Sequence, residues 1–252
     1  MKTKVSGSIV TYNNSDIIYE CIRSILEHTK NVDFSLYVVD NGSTDKTVEI
    51  IRENFKDVHL ICNEENKGFG HGHNRVLTEI DSVYHVVINP DITLSQDAIG
   101  ALCEYLDNHW DVTMITPKVL NEDGTEQFLP KYCPSIRHVI ISKFKPFKYL
   151  RKQYTREPED LKEPTEVEFC TGCFFVIRTE KLKELQGFDK RFFMYCEDAD
   201  LSRRVRKDGK ILFYPLVSVT HKWERDNTRN LKGVLRFMSS LCKYFLKWGI
   251  KF

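Results

Sequence analysis

Tyr84-His85-Val86-Val87-Ile88-Asn89-Pro90-Asp91 is a short β-rich run that stops on three turn formers. Val and Ile suit a pleated, buried surface, whereas Asn, Pro and Asp end it. The same grammar occurs three times upstream. Residues 5–10 end at Thr11-Tyr12-Asn13-Asn14, residues 34–39 end at Asp40-Asn41-Gly42-Ser43, and residues 58–62 lead into the polar stretch 63–70. Helical spacing separates these runs. Ile17, Ile18, Cys21, Ile22, Ile25 and Leu26 share one face over residues 16–28, with Ser15 or Asp16 as the cap. Val48, Ile50, Ile51 and Phe55 mark a second helix started by residues 43–45, and a third is expected over about 72–80.

Strands alternating with helices of this length imply an α/β fold, a mostly parallel sheet flanked by helices. Ligands of such sheets bind beyond the carboxyl ends of the strands. All four polar clusters belong at that edge, which is where a site is expected. The second half is less regular. A helix near 97–108, a strand near 112–116, strand-like residues 169–177, a short helix at 182–185 and a last strand at 211–219 are expected. The proline-rich, basic segment 129–164 reads as a long mobile excursion with at most one short helix.

Length and composition narrow the function. The chain has 252 residues with a formal net charge of +1, so it is not built to bind nucleic acid. Its eight cysteines are scattered, and the lone C-x-x-C pair, Cys170 and Cys173, has no second pair or nearby His to make a zinc site. Reduced thiols in a cytoplasmic setting are expected. Residues 1–14 do not read as a signal peptide, and no apolar run approaches the ~20 residues needed to span a bilayer.

Several clusters carry chemistry, each with a bland alternative. Asp91 at a strand end suits Mg2+ or Mn2+, which takes one or two protein oxygens plus diphosphate oxygens; a turn is the alternative. Glu197 and Asp198 open a helix, where a buried carboxylate can act as a general base and the other acid can cap or pair with Arg203 or Arg204; a solvated helix start is the alternative. Asp40 can accept the N3 proton of a pyrimidine or simply cap a helix. The glycines of Asn66-Lys67-Gly68-Phe69-Gly70-His71-Gly72 can let backbone approach a phosphate or ribose. His221, after the last strand, is a metal ligand or an ordinary surface or core histidine.

Taken in order, Thr11-Tyr12-Asn13, Asp40-Asn41-Gly42-Ser43, Asn66-x-Gly68-Phe69-Gly70, Asn74, Asn89-Pro90-Asp91, Thr171-Gly172, Gly187-Phe188-Asp189 and Phe193 to Leu201 resemble glycosyltransferase family 2, and most closely its bacterial rhamnosyltransferase branch. The resemblance covers residues 5–221. It implies a GT-A fold over residues 1–222, with a nucleotide-binding half to about residue 91 and an acceptor half over 92–222. It also implies transfer with inversion from a nucleotide-sugar donor, dTDP-L-rhamnose or a UDP-sugar, to a saccharide acceptor, commonly lipid-linked, for surface polysaccharide. By that likeness Asp198 is the base with Glu197 beside it. Thr11, Tyr12, Asn13, Asp40, Asn66, Gly68, Asn74 and Asn89 lie at the nucleotide, Asp91 and His221 at the metal, and Gly172 and Cys173 at the acceptor. Asn89 stands where the family's Asp-x-Asp motif has its first Asp. The Gln-x-x-Arg-Trp motif of polymer synthases is missing, with residues 221–225 in its place. A pyrophosphorylase would need a basic Gly-rich loop near residues 9–15, which is not there; a transferase fold without activity is the other alternative.

Residues 223–252 are expected to form a basic amphipathic helix. Val234, Phe237, Met238, Leu241, Phe245 and Trp248 recur every three or four residues, flanked by Lys and Arg. Such a helix suits an anionic membrane on its cytoplasmic face. The alternative is packing on the protein's own core or on a second subunit of a homodimer. On the membrane reading, a chain ending near Asn230 would stay folded.

Overall fold

The computed structural model describes residues 2–222 and 231–250. Its first half follows the expected alternation: β1 (Lys4–Thr11), α1 (Ile18–His28), β2 (Asp33–Asp40), α2 (Thr47–Asn54), β3 (His59–Cys62), α3 (Phe69–Asn74) and β4 (Tyr84–Ile88). β3-β2-β1-β4 form one parallel run in which Thr11 lies level with Asp40 and Asp40 with Cys62, so the polar ends align at one edge. Neither Ser15 nor Asp16 caps α1, whose first turn is held by Ile17 and Ile18 N–H groups donating to Asn14 O. α3 starts three residues before the expected position because Gly68, at φ 99°, turns the chain into it.

The second half runs β5 (Ile92–Thr93), α4 (Ala98–Asn108), β6 (Val112–Leu120), α5 (Ile136–Val139), α6 (Tyr149–Tyr154), β7 (Thr165–Glu166), β8 (Phe174–Arg178), α7 (Thr179–Glu184), α8 (Glu197–Val205), β9 (Lys210–His221) and α9 (Leu231–Trp248). The sheet order is β3-β2-β1-β4-β8-β6-β9-β5, with β7 paired to β9. The parallel character ends at β4. β8 is antiparallel to both β4 and β6, and β9 returns parallel to β6. β8 comes in reversed because the long segment after β6 returns the chain to the sheet from the polar edge. That segment is more ordered than expected, with α5, α6 and three 3-10 turns. Helices cover the sheet, and the main core, including Ile9, Val38, Ile88, Leu102 and Phe174, lies between β1, β2, β4, β8 and helices α1 and α4.

α9 docks on the protein's own surface. Leu241 and Tyr244 are buried, Ser240 Oγ donates to Met194 O at 2.7 Å, and Trp248 Nε1 donates to Asp200 Oδ1 at 2.8 Å. Most of the predicted apolar stripe is therefore covered by protein, not available to lipid. Residues 223–230 and 251–252 of the predicted tail, with most of the 221–225 motif region, lie outside the described residues. No helix among the described residues is long and apolar enough to cross a membrane.

Candidate active site

The ends of β1 and β2 interlock. Asn13, at φ 54°, donates its N–H to Ser43 Oγ at 2.8 Å and accepts from Thr44 N at 2.8 Å, while Asn41 N–H donates to Thr11 O. Tyr12 stands half-exposed beside this junction. Asp40 is buried. One carboxylate oxygen accepts the N–H groups of Gly42 (3.0 Å) and Ser43 (2.9 Å), and the other accepts the Ser43 hydroxyl. Asp40 thus builds the loop itself, which the sequence could equally allow.

The glycines of the glycine-rich stretch lie tight against neighbouring protein. A Cβ on Gly68 would lie 2.1 Å from Phe193 O, one on Gly70 2.6 Å from Phe188 Cβ, and one on Gly72 2.6 Å from Val10 Cγ1. The missing side chains let neighbouring protein approach closely at all three positions. Asn66 Oδ1 accepts Gly68 N–H at 2.9 Å and shapes the same turn. Asn74 pairs both its amide groups with the backbone of Phe188, at 2.8 and 2.7 Å. Gly68 and Asn74 therefore act as scaffold at this edge of the sheet.

On the other flank, Asn89 N–H donates to Cys173 O at 2.8 Å, and Gly172 N–H donates to Asp198 Oδ2 at 3.0 Å. The Gly172-Cys173 dipeptide, expected at the acceptor, joins the Asn89–Asp91 turn to Asp198. Ala199 N–H holds the second oxygen of Asp198 at 2.8 Å. Burial raises the pKa of Asp198, opposed by these backbone donors and by the charge of Lys131. Glu197 is more deeply buried, its Oε2 has no hydrogen-bond partner, and burial followed by the Asp198 charge raises its pKa. Tyr195 and Cys196 reach α8 through left-handed conformations, φ 72° and 66°, strain of the kind that collects at functional sites. Arg204 pairs with Asp200 at 2.8 Å and not with Glu197; Arg203 lies over the Trp248 ring.

His221 and Asp91, both expected at a metal, lie side by side: Nε2 is 3.2 Å from Oδ1. Gln127 Nε2 donates to His221 O at 2.8 Å and to Asn121 Oδ1 at 2.9 Å, so its Oε1 faces His221 Nδ1 at 3.0 Å. In the tautomer that donates Nδ1–H to Gln127, Nε2 turns its lone pair toward Asp91. Asp91 Oδ1 is buried without a hydrogen bond of its own. An imidazole nitrogen and a carboxylate oxygen so placed are a donor set that fits a divalent metal. No group of three or more His, Cys, Asp and Glu suited to a metal occurs among the described residues.

Gln127, Lys131 and Tyr154 were not singled out in the sequence. Lys131 pairs in register with Phe169 and lowers the Asp198 pKa, and the Tyr154 hydroxyl, its own pKa raised by burial, also senses Asp198. They lie in an irregular segment, where no periodicity marks which side chains turn inward. Cys173 is pushed up to about 12 by burial and then by Asp91, so its thiol stays neutral. All eight cysteines are unpaired.

A parallel βα half ending in a shared polar edge, joined to a mixed half that supplies a buried acid pair, is the GT-A architecture. Residues 8–186 match the model of glycosyl transferase family 2, and the chain belongs to that family. It is 27% identical over 205 residues to the N-acetylglucosaminyl-diphospho-decaprenol L-rhamnosyltransferase of Mycobacterium tuberculosis, covering 74% of this chain and 66% of that protein. It is 29% identical to the rhamnosyltransferase WbbL of Escherichia coli K12, covering 68% of this chain and 70% of that one. The chain thus spans about two thirds of the length of these relatives. Among solved structures, a mannosyltransferase from Pyrobaculum calidifontis, in complex with GDP-Man and Mn2+, superposes with a TM-score of 0.66 at 17% identity over 98% of this chain and 64% of that one.

Proposed function

We propose that this chain is an inverting glycosyltransferase that moves L-rhamnose from dTDP-L-rhamnose to a hydroxyl of a lipid-linked saccharide, in bacterial surface polysaccharide synthesis at the cytoplasmic face of the membrane. The observation that carries it is the Gly172-Cys173 peptide, which ties the Asp91–His221 pair on one side to Asp198 on the other. The rhamnosyl group rests on the two relatives above, and the lipid-linked acceptor on the Mycobacterium tuberculosis one.

Tyr12 stacks on the base, and the Asn13–Ser43 junction frames it. Asp91 and His221 would hold Mg2+ or Mn2+. Such an ion, when bound, neutralises charge on the diphosphate. Asp198, held by two backbone N–H groups, takes the proton of the acceptor hydroxyl. That oxygen bonds to the anomeric carbon as the bond to the diphosphate breaks, and the nucleoside diphosphate leaves with the electron pair. Attack opposite the leaving group inverts the configuration. The Gly172 and Ala199 N–H groups, and then Lys131, favour the ionised form of Asp198 against its burial, and Glu197, its charge suppressed, stays out of the proton transfer.

Calorimetric titration of dTDP-rhamnose against UDP-glucose, UDP-galactose and UDP-N-acetylglucosamine, each with Mn2+, tests the reading. Tight dTDP-rhamnose binding is expected. Binding of a UDP-sugar with none of dTDP-rhamnose overturns the donor, and nucleotide binding without transfer or hydrolysis overturns the enzyme.

A further inference from the structure

Charge is strongly segregated along this chain. Residues 129–156 contain eight Lys and Arg and no acid; residues 230–252 contain five and no acid. The whole chain balances 37 basic against 36 acidic residues, so everything outside these two segments is acidic, 36 against 24. The segments are far apart in sequence, yet the fold brings them together. Val139 and Ile140, at the end of α5, share one apolar cluster with Phe237, Phe245 and Trp248 of α9.

Both segments also turn apolar side chains to solvent. Phe144 is 61% exposed, with Phe147 and Tyr149 beside it in sequence also exposed. On α9, Leu231 (75%), Leu235 (60%) and Leu246 (87%) are exposed, at a spacing that places them, with Met238, on a second stripe apart from the buried Leu241 and Tyr244. Exposed Lys145 and Lys148 alternate with the aromatics and make no ion pair among the described residues. In contrast, Lys247 and Lys243 are tied to Asp189 and Arg191 O and face the protein.

We propose that the 144–149 turn and the outer stripe of α9 form one docking surface for an anionic lipid bilayer, with the aromatic and leucine side chains in the headgroup boundary and the lysines on lipid phosphates. Positive charge without acids selects an anionic partner, and exposed leucines favour hydrocarbon, which a nucleic acid does not offer. The surface rests on charge and exposure. Its use rests on the lipid-linked acceptor reading: Lys131 and Tyr154 of the same segment sense Asp198, so the element that meets lipid also borders the base.

The full chain is sedimented at low salt with phosphatidylcholine vesicles, with and without about one third phosphatidylglycerol, near the anionic content that gives a cell membrane its surface potential. Binding only to the anionic vesicles, lost at high salt, is expected. Lys145→Gln with Lys148→Gln should weaken partition roughly thirtyfold, since each lysine near such a surface contributes about 1 kcal/mol. Phe144→Ser with Phe147→Ser should weaken it while nucleotide binding, which reports the fold, is kept. Wild-type protein left in the supernatant, both double variants sedimenting like wild type, or retention on nucleic acid without vesicle binding would each overturn the surface. Sedimentation that persists in a protein without transferase activity leaves the surface standing and sinks the enzymatic reading alone.

Discussion

His221 Nε2 lies 3.2 Å from Asp91 Oδ1, while on the far side of the ring Nδ1 lies 3.0 Å from Gln127 Oε1. Asp91→Ala should weaken donor binding and remove its response to Mn2+. Gln127→Met leaves both ligands in place but frees the imidazole to turn, and should lower Mn2+ affinity about 10- to 100-fold. Titration of Mn2+ with nucleotide present measures both, and wild-type activity unchanged by EDTA would end the metal assignment.

Asp198→Asn should lower turnover by about 100- to 10,000-fold with donor affinity nearly unchanged, as read by single-turnover transfer and calorimetry. A base must be deprotonated to act, and burial raises the Asp198 pKa. Turnover should therefore climb with pH through a range above that of an ordinary aspartate. Lys131→Met removes a charge that favours ionisation and should move this limb to higher pH; a limb that stays put would remove Lys131 from the site's electrostatics.

Glu197 is buried with its pKa raised. The folded state holds its proton where the unfolded chain has lost it. Its contribution is thus fully present below the ordinary glutamate range and falls as pH rises through the folded value. Glu197→Gln should flatten the decline of Tm with pH across that window. An unchanged Tm profile would show that Glu197 ionises freely.

Gly68→Ala places a Cβ against Phe193 O at a positive φ. It should destabilise the fold by roughly 3 kcal/mol and disturb the chain leading to Glu197. Denaturant unfolding measures the first, and a wild-type midpoint would show that the loops can part without penalty.

Asp200 is fully buried among Arg204, Lys247 and Trp248. A chain ending near Asn230 loses two of these partners and uncovers Leu241's cluster, so it should be destabilised by about 3–5 kcal/mol, as when one side of a buried charge pair is removed. This reverses the expectation from sequence that the tail is dispensable. Equal melting temperatures for the shortened and full chains would restore it.

The candidate site was partly legible for the same reason as the fold. Asp91, Asp198 and His221 sit at element ends marked by local chemistry. The partners that tune them, Gln127 and Lys131, lie 36 and 67 residues from Asp91 and Asp198 along the chain, in segments without a period.

The sequence by itself determined the alternating first half and the edge that collects Thr11, Asp40 and Asp91, because a β run, its turn formers and the next helix face are all local patterns. It also determined that α9 is amphipathic, but not what covers its apolar stripe. Periodicity describes a face, and a protein core and a bilayer ask the same of it. Only the tertiary structure decided that Trp248 and Lys247 close over Asp200, that the glycines of residues 68–72 admit Phe193, Phe188 and Val10, and that β8 enters antiparallel. Each of those depends on contacts between segments whose separation in sequence leaves no local trace.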